Sequence, residues 1–234
     1  MDGEHSSAPI TAKSGRSKLA YFGDSGRLKN MNFKTKIQGI AGGIYRHALF
    51  YNFPGGLRFE LSEGGSPLDQ ALSALRKAAI VCDDIFSGEE RILVHLEAWL
   101  PASRFALRTM LSELKVAGIP IPKVREVWFD AEGQDEEDGE DLRLLCCAFE
   151  VPVSKLQNLI WCAITTDLGS IRPKPRCRVY LLNLNKSLVV HPYDDRGMDV
   201  IGKDKSALSA LYNRYGDLLI NYDIEAMRQT FAAS

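Results

Sequence analysis

Residues 178–201, RVYLLNLNKSLVVHPYDDRGMDVI, decide the fold class. Three apolar runs follow one another there: Arg178–Leu184, Ser187–Tyr193 and Met198–Ile201. The connections between them, Asn185-Lys186 and Asp194–Gly197, are short and rich in turn-forming residues. Strands joined this tightly pair antiparallel, so the segment predicts a meander. Within the second connection, the Asp side chains are expected to bond nearby amides, and Gly197 to supply a positive φ.

Upstream of the meander, helices and strands alternate. Leu57-Arg58-Phe59-Glu60-Leu61 switches between apolar and charged residues, as a half-buried strand does. Ser66-Pro67 is an N-cap followed by a first-turn proline, and the helix behind it places Leu68, Leu72, Leu75, Ala79, Cys82 and Phe86 on one face. Residues 91–98 alternate again through Ile92, Val94, Leu96 and Ala98. The result is a β-α-β unit whose two strands are expected to be parallel neighbours. Ser103 reads as the cap of a further helix, ended by Gly118, Pro120 and Pro122. Val124–Asp130 and Leu142–Val151 flank an acidic loop as a hairpin, and Ser154 reads as the cap of the next helix. Asp204 and Asp223 are expected to cap two closing helices. Ahead of all these, Phe33, Ile37 and Ile40 suggest a short helix ending near Gly42. Hairpins with separated helices predict an α+β fold: a mixed sheet with a β-α-β unit, a hairpin and a C-terminal antiparallel meander, packed by helices.

Residues 1–30 are polar and basic, without a usable period, and are expected to form a disordered tail before a single α+β domain at 31–234. Residues 1–46 hold eight Lys/Arg and three Asp/Glu, so the remainder carries the acidic excess. The net charge of −1 gives no global field toward nucleic acid or an anionic membrane. Five cysteines (Cys82, Cys146, Cys147, Cys162 and Cys177), odd in number and mostly in apolar runs, fit reduced thiols and a cytoplasmic protein better than a secreted disulfide framework. No apolar run approaches the ~20 residues that span a membrane.

Two stretches carry a resemblance. One is Asn52–Leu61 with the helix ending Asp84-Ile85-Phe86. The other is His191–Ile201, continued by Leu211-Tyr212, Tyr215, Tyr222-Asp223 and Phe231. Over roughly residues 45–231 the chain resembles a bacterial family catalogued as domain of unknown function 3885, although Leu218 stands where that pattern has Trp. The resemblance implies a bacterial origin and one continuous domain. It brings no reaction and no catalytic residues.

The candidate motifs have bland readings beside their functional ones. Gly23-Asp24-Ser25-Gly26 looks like a protease nucleophile segment, but only His5 precedes it, and Gly39–Gly43 follows no strand and lacks a phosphate loop's lysine. His5, His47, His95 and His191 show no metal-ligand spacing with one another or with the cysteines, so no metal and no cofactor is expected. His95 falls on the polar-facing set of its strand and reads as half-exposed, while Cys146-Cys147 reads as a pair of small core residues pointing to opposite faces. Asp130–Asp141 holds eight carboxylates in twelve residues, either a solvated loop or a handle for a basic partner. His191, Tyr193, Asp194, Asp195 and Arg196 are the candidate ligand- or partner-binding residues, set against their reading as an ion-paired turn.

With catalytic signatures absent, a non-enzymatic protein-binding module is the leading expectation, toxin neutralisation being one concrete form. A small-molecule or metal-dependent enzyme centred on the YDDRG turn is one alternative. A nucleic-acid-associated protein is another, resting on Lys13, Arg16, Lys18, Arg27, Lys29, Lys34 and Lys36; base-specific recognition has no support in the sequence, and neither does membrane insertion.

Overall fold

Seven strands form one sheet in the computed structural model, which describes residues 32–41, 45, 48–101, 105–135, 142–169 and 171–231. The strands are β1 (Leu57–Glu60), β2 (Arg91–Pro101), β3 (Glu126–Asp135), β4 (Leu142–Pro152), β5 (Arg178–Asn183), β6 (Leu188–Pro192) and β7 (Gly197–Gly202). Their spatial order is β1-β7-β6-β5-β2-β4-β3, and every adjacent pair is antiparallel. The meander and the β3–β4 hairpin stand as expected, and the fold is α+β.

The sheet is antiparallel throughout, not mixed. β1 and β2 do run in the same direction, but β7, β6 and β5 lie between them. The reason lies in the crossover. Helix α3 (Pro67–Ile85) has 19 residues and is ~28 Å long, more than the ~19 Å across four strand spacings. The connection can therefore step over three strands, and β1 finds its partner in β7, pairing Leu57 with Val200 and Phe59 with Met198.

Among the described residues there are six further α-helices: α1 (Phe33–Ala41), α2 (Leu49–Asn52), α4 (Ala106–Val116), α5 (Leu156–Ile164), α6 (Lys205–Arg214) and α7 (Ile224–Phe231). Ser66 caps α3 in a reciprocal box, its Oγ accepting from the Asp69 amide while its own amide donates to Asp69. Asp204 caps α6 by accepting from the Ala207 amide at 2.9 Å. Ser154 caps nothing, because Val153–Lys155 form a 3-10 turn that leads into α5. Asp223 does not cap α7; its carboxylate is taken by Tyr51 and Arg58. Ser103, the N-terminal tail with its GDSG segment, and most of the acidic hairpin tip lie outside the described residues.

One face of the sheet carries the main core. Phe59, Val94, Phe149, Leu181, Val190 and Val200 point to it and meet α3 and α5. Full burial of one such side chain contributes about 1.5–3 kcal/mol. α3 presents Ala71, Ala74, Ala78, Val81, Cys82 and Ile85 inward. The small alanines let the helix approach closely, which turns the expected leucine stripe aside and leaves Leu68 and Leu72 exposed. The opposite face is also covered, by α1, α2 and Tyr45, so the sheet is buried on both sides.

Candidate functional site

The second face carries a row of polar side chains running across the strands. Register places Arg58 of β1 beside Asp199 of β7, and Asp199 beside His191 of β6. On β5 and β2, Tyr180 pairs with His95. Two residues further along β2, Glu97 lies opposite Cys146 of β4, which in turn faces Trp128 of β3. Asp199, His191, Tyr180, His95, Glu97 and Cys146 are all buried. Strand periodicity of two puts them on one side; α1 and Tyr45 remove them from solvent.

The rings in this row stack. Trp128, His95 and Tyr180 follow at centroid spacings of 5.5 Å, and Tyr180 lies 4.2 Å from His191. Tyr45 closes over them, 4.9 Å from Tyr180 and edge-on to His95. Glu97 is the buried charge among them. Its Oε2 accepts from Tyr180 Oη at 3.0 Å and lies 3.9 Å from Arg178 Nη1, while its Oε1 is 3.0 Å from His95 Nε2. His95 is thus a buried member of this network, not a half-exposed strand residue. Cys146 and Cys147 do point to opposite faces: Cys147 joins the main core and Cys146 faces Glu97. Burial raises the pKa of both thiols, that of Cys147 to about 11, and the Glu97 charge adds to the rise at Cys146.

At the other end of the row, Arg58 lies between two tyrosine rings, 4.9 Å from Tyr51 and 5.1 Å from Tyr193. Its guanidinium meets Asp223 at 3.1 Å and Asp199 at 3.3 Å, and its Nε donates to Tyr193 Oη. Burial works to lower the pKa of Arg58, but Asp199, Tyr193 and Asp223 outweigh it and hold the group above its ordinary value. Asp199 accepts the Phe50 amide at 3.1 Å, yet desolvation pushes its carboxyl up to about 6. The stretches that carried the family resemblance converge here, for Asn52–Leu61 supplies Arg58, His191–Ile201 supplies Tyr193 and Asp199, and Tyr222-Asp223 supplies Asp223.

These contacts go with a match across most of the chain. A family model described as a domain of unknown function, DUF3885, covers residues 33–223. The chain belongs to the DUF3885 family. No curated protein and no solved structure matches it.

In this DUF3885 chain the five residues singled out from the sequence divide into two groups. His191 and Tyr193 belong to the polar row, His191 Nδ1 sitting 3.1 Å from the Val179 carbonyl. Asp194, Asp195 and Arg196 form the β6–β7 connection. Asp194 Oδ1 accepts from the amides of Arg196 and Gly197 at 2.8 and 3.2 Å, and its Oδ2 accepts from Arg196 Nε at 2.9 Å. Asp195 accepts from Ser62 Oγ at 3.2 Å. Burial, and then the Asp194 charge, raise its pKa. Gly197 has no left-handed backbone. A side chain there is excluded by the Tyr193 ring, whose hydroxyl oxygen would lie 1.9 Å from an added Cβ.

Sequence reasoning missed Arg58, Glu97, Asp199 and the role of Asp223. One signal was present. On β2, Ile92, Leu93 and Val94 are apolar in succession, the mark of a strand buried on both faces, and His95 and Glu97 follow in the same strand. Of the basic residues read as a nucleic-acid patch, the described Lys34 and Lys36 lie over the rings of Trp128 and Phe33.

Proposed function

We propose that this chain is a protein-binding module that docks an extended, basic segment of a partner protein along the outer edge of β3. The observation behind this reading is that edge, which no described strand covers. At the opposite side of the sheet, β1 is covered by the Phe59–Leu219 bridge and by the Ile220 amide donating to Arg58 O. β3 ends the sheet, and among the described residues no strand pairs with its outer side. Such an edge offers a row of backbone donors and acceptors to an added strand. Val127 and Phe129, 43% and 42% exposed, supply apolar contacts on one face of it. Its pairing with β4 is regular over Glu126–Phe129 and resumes, after a register shift, at Gln134 and Asp135. The strand then enters the acidic run Asp130–Asp141, which attracts a segment bearing Lys or Arg and repels an acidic one. Neutralisation of a basic toxin is one concrete form of such binding. The alternative of an enzyme at the YDDRG turn draws less support, because both carboxylates are engaged in the fold, Asp194 by the Arg196 and Gly197 amides and Asp195 by Ser62.

A photo-crosslinking side chain placed at Phe129 in the full chain, in the native host, tests the reading. An adduct to a basic protein, weakened by salt and absent from a control at Val116 on α4, is the expected result. Equal adducts at both positions, or none at position 129, refute it.

A further inference from the structure

We propose that His95, Glu97 and Cys146 form a binding site for a divalent cation of the zinc class. This goes beyond partner docking and does not depend on it. One imidazole, one carboxylate and one thiol come from two paired strands, two of them at i and i+2 on β2 and the third directly across on β4. One donor atom from each lies within 4.8 Å of the others, and all three residues are buried. The sequence hides the grouping because Cys146 is far along the chain from His95, and only the β2–β4 register joins them.

The geometry suits a tetrahedral ion. Zinc with bonds of ~2.0–2.3 Å holds its donors ~3.3–3.6 Å apart. His95 Nε2 and Glu97 Oε1 are already 3.0 Å apart, and the Cys146 sulfur belongs to the same group of donors within 4.8 Å of one another. Glu97 Oε2 is held by the Tyr180 hydroxyl, an outer-shell bond of the kind that fixes a ligating carboxylate. Beside the three donors lies a cavity of about 20 Å³, also bordered by Lys34, Gln38 and Asp130. About 10–15 Å³ suffices for one water, so there is room for the ion or for a water as its fourth ligand. The mixed nitrogen, oxygen and sulfur set favours zinc over magnesium or calcium, which prefer oxygen alone. Binding displaces the Cys146 thiol proton to solvent, so affinity rises with pH.

Cobalt(II) titration of the full chain tests the site directly. A near-ultraviolet thiolate-to-cobalt band that saturates at one equivalent and is displaced by zinc is expected. Cys146→Ser should abolish the band. Cys147→Ser, on the same strand but the opposite face, should keep it. A band that is absent from the wild-type protein, or that survives Cys146→Ser, overturns the proposal. If Cys146→Ser fails to fold, zinc K-edge absorption on the wild-type chain decides. One sulfur with nitrogen and oxygen neighbours supports the site, and a shell with no sulfur or with two overturns it.

Discussion

Replacing Asp194 by alanine removes the acceptor around which the β6–β7 connection is folded. Asp194 Oδ1 takes both the Arg196 and Gly197 amides, and the second of these is buried. Hydrogen bonds to a charged group contribute about 1.5–3 kcal/mol each. Taking the lower value for each amide gives about 3 kcal/mol for Asp194→Ala, or a fall in Tm of about 6–12 °C at about 2–4 °C per kcal/mol for a domain of this size. Asp194→Asn keeps an oxygen before both amides but turns two bonds to a charged group into weaker neutral ones, and it loses the ion pair with the Arg196 side chain. That side chain is 71% exposed, so the ion pair adds about 1 kcal/mol or less, and the total stays below that of Asp194→Ala. Asp195→Ala loses one bond to Ser62 and relieves the charge beside Asp194, which leaves stability nearly unchanged. Thermal melts and urea titrations on the three variants rank them, with a constant m-value certifying that stability alone has moved. If Asp194→Ala melts with the wild type, or if Asp195→Ala falls as far as Asp194→Ala, Asp194 does not hold the turn. A ligand role for the paired carboxylates would then regain ground.

Gly197→Ala should destabilise by about 1–3 kcal/mol, since its Cβ forces the Tyr193 ring away from Arg58. The loss should shrink in a Tyr193→Ala background, and additive costs in a double-mutant cycle would disprove the clash. All five cysteines are buried and unbridged, with Cys162 pushed up to about 12, so thiol labelling should find few reactive groups in native protein and five after denaturation. Asp199, raised by burial from 3.8 to about 6, keeps a proton in the folded chain that the unfolded chain releases between those values. The stability tied to that proton is present below about pH 4 and declines, by up to about 3 kcal/mol, as pH rises to about 6. Asp199→Asn should flatten the wild-type slope in that window, and an unchanged slope would exclude Asp199 as its source.

Local chemistry made the meander legible: two short polar connections between three apolar runs leave a chain little choice. The N-caps at Ser66 and Asp204 were legible for the same reason, each being a short polar side chain just ahead of its helix; the reciprocal bond from Asp69 that makes the first a capping box came from the structure. Strand order was another matter. Nothing in Leu57–Leu61 states that its neighbour is β7, because that pairing depends on how far α3 carries the chain. Of the stripe read on α3, Cys82 and Phe86 are buried and Leu75 and Ala79 pack against the core, while Leu68 and Leu72 stay exposed because the alanine side packs closer. The polar row was the hardest to read. Arg58, His95, Glu97 and Asp199 each look like the solvent side of a half-buried strand, and only the cover of α1, α2 and Tyr45 turns that side into an interior.

A buried polar face is a costly way to close a sheet, since a carboxylate such as Glu97 loses several kcal/mol of hydration on burial. The Tyr180 hydroxyl and His95 offset part of that loss, and a cation shared with Cys146 would offset more. Trp128 ties this site to the outer strand of the sheet. It borders the cavity beside His95, and its neighbours Val127 and Phe129 carry the exposed apolar surface of β3. A strand added to β3 would order Trp128 against His95, and a cation held by His95 would order Trp128 in return. If both proposals hold, linkage requires that each ligand alter the affinity of the other by the same factor. Partner affinity measured with zinc and with a chelator should therefore differ, and by the ratio found for zinc affinity with and without partner.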